Sequence, residues 1–394
     1  MRDFVYYAPT KVFFGRGSEN RIGEILSGNG YRKIALHYGM DSAESSGLLG
    51  RVRNILETSG IGYIEIGGVQ PNPKYDHAIS GAEMCIREKA DAILAIGGGS
   101  VIDSAKLMAA ASVCESGMDP WKFFTKEVTP KAALPLGVVL TIASAGSEMS
   151  SSCVITNEKL GLKRGFNSDF NRPVFAVMDP ELTFTVSPFQ TACGIVDILM
   201  HTIERYFQPE REAQLTDSLA EALMRNVIKA GRKAVEDPLD YDARATLMWG
   251  SSLSHNGLTG AGKLEFLQLH QLEHELSAAY DEVAHAAGLS ALFKGWAMYV
   301  YKSGVSRFAH FAVNVWGTDD TGSPEETAVR GIDECVSWFR DILRMPVSLT
   351  DLGLDGSRIE EMSVKCSNHG KRTLPGVMEL SETDILTIFT NSLV

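Results

Sequence analysis

Apolar runs that alternate with segments of helical periodicity fill residues 1–185, and no other feature of the sequence constrains the fold as strongly. Runs of β type are Ile34–Tyr38, Tyr63–Ile66, Ala92–Ile96, Leu136–Ile142 and Val174–Met178. Segments with apolar residues at helical spacing separate them: Leu48–Thr58, Tyr75–Lys89 and Val101–Cys114. Strands that alternate with helices predict a parallel sheet with helices on both faces.

The pattern changes after Thr185, beyond which nearly every segment has helical periodicity. We therefore place a domain boundary between Asp179 and Pro188. The sequence predicts an α/β nucleotide-binding domain over residues 1–185 and an all-helical domain over residues 186–394. The helical segments are Phe189–Phe207, Ala213–Val235, Ala243–Leu258, Phe266–Tyr280, Leu289–Ser306, Glu325–Leu343 and Ile359–His369.

Charge and composition exclude several classes of partner. The net charge of −12 argues against nucleic acid and anionic membranes, which need a basic surface. The best apolar stretch, Ala132–Ala145, contains Pro135 and several polar residues, so we expect no membrane span. The N-terminus lacks a basic-then-apolar leader, and the six cysteines are widely spaced. We expect a cytoplasmic protein with reduced thiols.

A glycine-rich loop follows the apolar run Ala92–Ile96 and precedes a helical segment. Gly97, Gly98, Gly99 and Ser100 offer main-chain N–H groups and the positive end of a helix dipole, which favour an anion. The alternative is a tight turn that Ser100 and Asp103 cap. The position between strand and helix favours a dinucleotide site, although the string does not match the Gly-x-Gly-x-x-Gly fingerprint.

A second polar loop, Thr141–Glu148, follows the next apolar run and contains Thr141, Ser144, Gly146 and Ser147. Two such loops after neighbouring strands fit a pyrophosphate and a ribose that lie across the strand ends. We include Thr141, Ser144 and Ser147, together with Asp103, among the predicted cofactor-binding residues.

Histidines and an aspartate recur at helical spacing in the second half of the chain. Asp197 and His201 are four residues apart, as are His270 and His274, and His285 follows before Gly288. A buried imidazole is usually a satisfied core residue, but two such pairs and a further histidine favour a divalent metal site. Three imidazoles and one carboxylate suit Zn²⁺ or Fe²⁺ better than Ca²⁺ or Mg²⁺.

These strings together resemble the iron-containing, metal-dependent alcohol dehydrogenases, most closely the butanol-dehydrogenase-like branch. The matches occur in the family's order over essentially the whole chain: Gly97–Lys106, Gly146–Glu148 with Val154–Asn157, Asp179–Thr183, Thr191–Asp197 with His201, Ser254–Gly257, and His270–Ser277 with His285.

The resemblance implies a nucleotide domain and a helical domain with metal and cofactor in the cleft between them. It implies four metal ligands, a histidine beside the nicotinamide that assists proton transfer, and a set of cofactor contacts. The ligands are Asp197, His201, His270 and His285, the histidine is His274, and the cofactor contacts are Gly98, Gly99 and Ser100 with Asn72, Thr141 and Lys163.

The chain departs from the family's usual pattern near these residues. Ala145 stands where threonine is usual, and Phe266–Leu269 replaces an Asp-Trp-Ala-Thr string, which predicts a more apolar or reshaped pocket wall. One extra residue lies between His274 and His285, and Ala286 replaces a common glycine. All four ligand positions remain filled.

Cofactor choice has a local clue at Asp41, in the string Gly39–Glu44, where many NADP-preferring relatives have Gly-Gly-Gly-Ser-x-Lys. A carboxylate near the adenosine ribose accepts a bond from the 2′-hydroxyl and repels a 2′-phosphate. We therefore favour NAD(H) over NADP(H). The alternative is that Asp41 merely caps a helix that begins near Ser45.

The predicted function is hydride transfer between NAD(P)(H) and a small primary alcohol or aldehyde. One alternative is a glycerol dehydrogenase or a dehydroquinate synthase-like enzyme, but few basic residues other than Arg205 and Lys263 lie near the predicted ligands, which favours a neutral substrate. Another alternative is a non-catalytic relative, which the intact ligand set disfavours. The family tendency and the β-type segment Phe4–Phe14 indicate a homodimer.

Overall fold

The computed structural model describes residues 1–40, 42–209, 213–320 and 322–394. These residues form two compact units, Tyr7–Val186 and a second unit of Met1–Tyr6 with Ser187–Val394. Asp41, predicted to select the cofactor, lies outside the described residues.

The unit Tyr7–Val186 is built on a six-stranded sheet in which every pair of neighbours is parallel. The strand order is β1-β8-β5-β4-β2-β3, and β6 and β7 form a separate antiparallel pair. Strands β1 to β8 are Lys11–Phe14, Lys33–Gly39, Gly62–Val69, Ala92–Gly97, Leu136–Leu140, Ser152–Asn157, Leu162–Asn167 and Phe175–Met178. Helices α1 to α5 are Ile22–Gly28, Ser42–Ser45, Leu48–Thr58, Tyr75–Glu88 and Gly99–Ala111.

Strands β4 and β5 lie in the middle of this sheet, and all their residues are buried. Parallel strands covered on both faces read as continuous apolar runs, which is why the sequence predicts them well. The β6–β7 pair was not predicted, because polar residues occupy much of both strands. Part of the segment Phe4–Phe14 pairs within its own chain, since β1 lies beside β8.

The chain reverses its direction across the sheet between β2 and β4. From β2 the chain moves outward to β3, returns to the other side of β2 as β4, and continues away to β5. In open α/β sheets, ligands bind beyond the carboxyl ends of the strands at such a switch point. Strand β4 ends there at Gly97, directly before the glycine loop.

The other unit is helical. Its described residues form helices α6 to α14 with short 3₁₀ and π turns, and one isolated pair of extended residues, Leu374 and Leu380. These helices are Pro188–Tyr206, Gln214–Glu236, Tyr241–His255, Gln268–Ala279, His285–Val300, Val305–Phe311, Pro324–Asp341, Ile359–Cys366 and Glu382–Asn391. The predicted fold class, a parallel α/β region followed by a helical one, is confirmed.

One predicted helix, Leu289–Ser306, has different limits in the structure. Helix α10 begins at His285 and ends at Val300, and Gly304 separates it from α11. The earlier start makes His285 a helical residue. Within the described part of the chain, no helix combines the length and apolarity that a membrane span requires.

Candidate metal centre and glycine loops

Helix α6 carries Asp197 and His201 on one buried face. The helix begins cleanly, because Ser187 Oγ accepts the main-chain N–H of Gln190 at 3.2 Å and Pro188 fits the first helical position. Asp197 and His201 are 2% and 5% exposed, and the Nδ1 atom of His201 lies 3.2 Å from Oδ1 of Asp197. Spacing of four residues places both side chains on the same face of the helix, and this part of the face is buried.

Helix α9 brings His270 to the same place. His270 lies in the first turn of α9, and the centres of the His270 and His201 rings are 4.3 Å apart. The Nε2 atom of His270 is 3.7 Å from Oδ1 of Asp197. One ligand atom from each of Asp197, His201 and His270 lies within 4.8 Å of the others, and all three residues are buried.

His285 opens helix α10, with its ring centre 5.4 Å from that of His270. A second group of ligand atoms, from Glu273, His274 and His285, also lies within 4.8 Å. The ring of His274 is 5.7 Å from that of His285. Among the described residues, the five predicted side chains of this region thus fall into two adjoining groups: Asp197, His201 and His270 in the first, and His274 and His285 with Glu273 in the second.

Three residues that contact this cluster were not predicted from the sequence: Glu204, Glu273 and His255. The side chains of Glu204 and Glu273 are fully buried, and they accept hydrogen bonds from Nδ1 of His270 and Nδ1 of His285, respectively. A helical signal existed, because each glutamate follows a predicted ligand of its own helix by three residues. His255 ends α8, and its ring packs edge-on against His201 at 4.1 Å.

Burial and neighbouring charges have opposing effects on the pKa values of Asp197 and His270 in this cluster. Burial would raise the pKa of Asp197, but the imidazoles of His201, His270 and His285 outweigh it and hold that pKa below its usual value. Burial lowers the pKa of His201 well below its usual value, and His255 adds to the effect. For His270, burial is outweighed by the carboxylates of Glu204 and Asp197, which raise its pKa to about 9.

The donor set fits a divalent cation. Among the described residues, Nε2 of His270 has no hydrogen-bond partner although it is buried. Its Nδ1 donates to Glu204, and its Nε2 faces a carboxylate oxygen of Asp197 beyond hydrogen-bond length. An imidazole nitrogen and a carboxylate that face each other in the interior require a positive charge between them, which a proton on the ring or a bound metal ion supplies. Imidazole with carboxylate is a common ligand combination for zinc and iron.

The glycine loop differs in detail from its prediction. Helix α5 begins at Gly99 with Gly98 at the N-cap position and has no side-chain cap, so the suggested cap by Ser100 and Asp103 is wrong. Asp103 instead accepts the Ser147 hydroxyl at 2.5 Å and the Val154 main-chain N–H at 2.8 Å. The earlier helix start leaves the first-turn N–H groups of Gly99 and Ser100 available for an anion.

The two predicted cofactor loops pack against each other. A Cβ atom on Gly98 would lie 2.2 Å from Cγ2 of Ile142, and one on Gly99 would lie 3.2 Å from Cβ of Ala145. Thr141 also donates its main-chain N–H to the carbonyl of Gly97 at 3.2 Å. Glycine is therefore required at position 98 for loop packing, in addition to any approach of a phosphate.

Lys106 joins these loops from inside the domain. Its ammonium group is fully buried and donates to Oγ of Ser147 at 2.7 Å and to the carbonyl of Ser152 at 2.6 Å. It lies 3.7 Å from Oδ1 of Asp103. Ser144 is half-buried in the same loop.

Asn72 and Lys163 lie in neighbouring segments of this domain. Asn72 is buried and has a positive φ of 52° just after β3. Lys74 pairs with Thr156 of β6, and Thr156 pairs in turn with Lys163 of β7. Lys163 and the segment that follows Asn72 therefore both lie beside β6.

Gln268, in the string Phe266–Leu269, makes hydrogen bonds that were not predicted from the sequence. Gln268 is buried and donates through Nε2 to the carbonyls of Leu374 and Met378 at 2.8 and 2.7 Å. Its Oε1 accepts the indole N–H of Trp296 at 3.2 Å. This residue therefore ties the segment around Met378 to the start of α9.

Comparison with known proteins gives a consistent result over both units. The family model "Iron-containing alcohol dehydrogenase" matches residues 9–180, and "Fe-containing alcohol dehydrogenase family, C-terminal" matches residues 191–393. NADH-dependent butanol dehydrogenase A of Clostridium acetobutylicum is 37% identical over 393 residues, covering 100% of both chains. NADPH-dependent aldehyde reductase YqhD of Escherichia coli is 35% identical, covering 95% of each.

Solved structures agree with the sequence comparison. The crystal structure of NADH-dependent butanol dehydrogenase A from Thermotoga maritima superposes with a TM-score of 0.95 at 34% identity, covering 100% of this chain and 99% of the other. The chain therefore belongs to the iron-containing alcohol dehydrogenase family.

Proposed function

We propose that this protein is a metal-dependent alcohol dehydrogenase or aldehyde reductase, which transfers hydride between a nicotinamide cofactor and a small primary alcohol or aldehyde. The observation that carries the proposal is the buried group of Asp197, His201 and His270 in a member of this family. Relatives named as butanol dehydrogenase and aldehyde reductase over nearly the full chain support the substrate class.

The proposed metal ligands are Asp197, His201, His270 and His285. The buried Nε2 of His270, which lacks a hydrogen bond among the described residues, supports this assignment. When bound, a divalent ion of the iron or zinc type would lower the pKa of an alcohol hydroxyl or polarise an aldehyde carbonyl. The carboxylate of Asp197 would offset part of the cation's charge, and the three helices would hold the ligands in place.

His274 is proposed to carry the proton that the alcohol loses or the aldehyde gains. It follows His270 by one helical turn, and its ring lies 5.7 Å from that of His285. An imidazole titrates near neutral pH and therefore suits proton transfer in both directions. The transfer takes place directly or through a water molecule.

The proposed cofactor site is the glycine loop after β4, with Gly97, Gly98, Gly99 and Ser100 around the pyrophosphate. The switch point between β2 and β4 supports this position, as does the start of α5 at Gly99. The further proposed contacts are Asn72, Thr141 and Lys163, which the family pattern implies, and Asp103, Ser144 and Ser147, which the two loops contribute.

NAD(H) is proposed over NADP(H). The carboxylate of Asp41 in the sequence supports it, and so does the NADH-dependent name of the 37% identical relative. The aldehyde reductase relative is named as NADPH-dependent, so kinetics with both cofactors are the direct test. We expect a kcat/KM for NADH well above that for NADPH, and a clear NADPH preference would contradict the proposal.

A phosphorylated substrate, as in the dehydroquinate synthase-like alternative, is less well supported. The two basic side chains nearest the ligands in sequence already have partners. Arg205 donates to the carbonyl of His201 at 2.8 Å and contacts Nδ1 of His255 at 3.2 Å, and Lys263 pairs with Asp217. A neutral alcohol or aldehyde needs no such cation.

The deciding experiment is anaerobic purification followed by metal analysis and assays of NADH and NADPH oxidation with aldehydes of two to six carbons. We expect about one divalent ion per chain and aldehyde-dependent oxidation that a chelator abolishes. Absence of bound metal, or turnover that persists after complete metal removal, would contradict the proposed function. Size measurement of the same sample tests the predicted homodimer.

A further inference from the structure

Two buried glutamates contact the proposed metal ligands, and neither is among the four residues proposed as ligands. Glu204 on α6 accepts from Nδ1 of His270, and Glu273 on α9 accepts from Nδ1 of His285. Both carboxylates have no exposed side-chain surface. A carboxylate held so deeply requires strong donors around it, because burial of an unpaired charge is very costly.

The arrangement repeats from helix to helix. On α6, Glu204 follows His201 by three residues and reaches His270 of the next ligand helix, α9. On α9, Glu273 follows His270 by three residues and reaches His285, the first residue of α10. The same His-x-x-Glu spacing thus links three helices in order, because residues three apart share one helical face.

Glu204, which lies on α6, also caps the N-terminus of α9. Its carboxylate accepts the main-chain N–H of Leu269 at 2.6 Å and that of His270 at 3.3 Å, both in the first turn of α9. These are donors that an α-helix leaves without internal partners, and an anion at this end is favoured by the helix dipole. One carboxylate therefore fixes both the main chain and the ring of His270.

Glu273 is fixed by its own helix and by the next one. Ser277, one turn further along α9, donates its hydroxyl to Oε1, while Nδ1 of His285 contacts Oε2. A Cβ atom on Gly288 would lie only 3.0 Å from Cγ of Glu273, so a glycine on α10 allows this close approach. The contact orients the His285 ring from the side opposite its Nε2 atom.

We propose that Glu204 and Glu273 are positioning residues, which hold His270 and His285 as Nδ1–H tautomers and so direct both Nε2 lone pairs at the metal. This inference rests on the proposed metal site. A carboxylate that accepts the N–H of a metal-binding imidazole fixes the ring and makes it a stronger donor. Loss of such a partner typically lowers metal affinity about 10–100-fold.

The test compares Glu204→Gln and Glu273→Gln with Glu282→Gln, which removes an exposed carboxylate from the segment between α9 and α10. Metal-free proteins are titrated with Zn²⁺ in competition with a chromophoric chelator, and their thermal midpoints are measured with and without Zn²⁺. We expect each buried substitution to weaken zinc binding about 10–100-fold and to reduce the zinc-induced rise in midpoint. Glu282→Gln should bind zinc within about twofold of the wild-type chain.

The visible absorption of the Co²⁺-loaded protein distinguishes a positioning role of the two glutamates from a merely structural one. Glutamine keeps the side-chain volume and one acceptor oxygen, so the folded fraction of each variant can be loaded with Co²⁺ and its visible absorption recorded. We expect shifted absorption bands for Glu204→Gln and Glu273→Gln. A lower midpoint of the metal-free protein, combined with wild-type zinc affinity and an unchanged cobalt spectrum, would overturn the inference.

Glu273→Gln keeps the test informative if Glu204→Gln fails to fold, because Glu204 also binds the main chain of α9. The wild-type control separates this inference from the proposed function. A wild-type chain that binds no zinc contradicts the proposed function itself. A wild-type chain that binds zinc and reduces aldehydes, beside variants of equal affinity, contradicts only the positioning role.

Discussion

Nε2 of His270, in the first turn of α9, lies 3.7 Å from Oδ1 of Asp197, in the middle of α6. Both residues are buried, and they come from helices far apart in the sequence. Their approach creates a site that favours a cation, because a buried carboxylate and an imidazole nitrogen that face each other are stabilised by a positive charge between them.

Asp197→Ala and His285→Ala should each remove bound metal and aldehyde reduction together, since each deletes a proposed ligand. Metal content by mass spectrometry and NADH oxidation measure the outcome. His310→Ala, which removes an exposed histidine from α11, should retain both properties. A His285→Ala chain with full metal content would remove His285 from the ligand set.

His274→Ala should keep its metal and lose turnover. A positioned acid–base group contributes about 10²–10⁴-fold to rate, so kcat should fall within that range. Metal analysis and steady-state kinetics on the same preparation measure the two quantities. Loss of metal would instead make His274 a ligand, in keeping with its position beside Glu273 and His285.

Gly98→Ala should weaken NADH binding, because the added Cβ meets Ile142 and displaces the two loops. Overpacking of this kind costs about 1–3 kcal/mol. Combination with Ile142→Ala should relieve the contact and restore affinity, as measured by quenching of protein fluorescence. Weak binding that persists in the double variant would mean that the Cβ obstructs the cofactor rather than the loop.

Lys106→Met should destabilise the α/β unit, because it leaves the carboxylate of Asp103 without its nearby ammonium and removes a donor to Ser147. Removing one partner of a buried ion pair costs about 3–5 kcal/mol. Urea unfolding followed by circular dichroism measures the change. Lys159→Met, which breaks an exposed pair with Asp76, should cost at most about 1 kcal/mol. Equal effects of the two substitutions would contradict the role of Lys106.

His37 makes stability depend on pH. Its ring is buried between the carbonyl of Ile66, at 2.8 Å, and the hydroxyl of Ser104, at 3.0 Å. Burial lowers its pKa from 6.5 to about 3, so the folded chain keeps it neutral at pH 5 while the unfolded chain protonates it. The stability present above pH 6.5 is therefore lost as the pH falls, by about 2 kcal/mol between pH 7 and pH 5.

The measurement is the free energy of unfolding at pH 7 and pH 5 for the wild-type chain and for His37→Gln. The variant should lose about 2 kcal/mol less than the wild-type chain over this interval. His310→Gln should keep the wild-type dependence, because that side chain is exposed. An unchanged pH dependence in His37→Gln would contradict the buried neutral ring.

Local sequence patterns determined most of the secondary structure and the composition of the candidate site. Continuous apolar runs predicted β4 and β5, because central parallel strands bury both faces. Four-residue spacing predicted the Asp197–His201 pair, since that spacing is a property of any helix. Turns and helix caps were harder to predict from the sequence. The start of α5 at Gly99 is an example, because three consecutive glycines do not specify where a helix begins.

Tertiary structure decided which partner each of these groups meets. No periodicity within α6 or α9 indicates that Glu204 binds His270, or that Gln268 reaches the carbonyls of Leu374 and Met378. The β6–β7 pair could not be predicted from the sequence either, because its polar strands lack the apolar pattern on which strand prediction depends. Spacing along the chain fixes only the face on which a side chain lies, whereas hydrogen bonds between distant segments depend on how those faces pack.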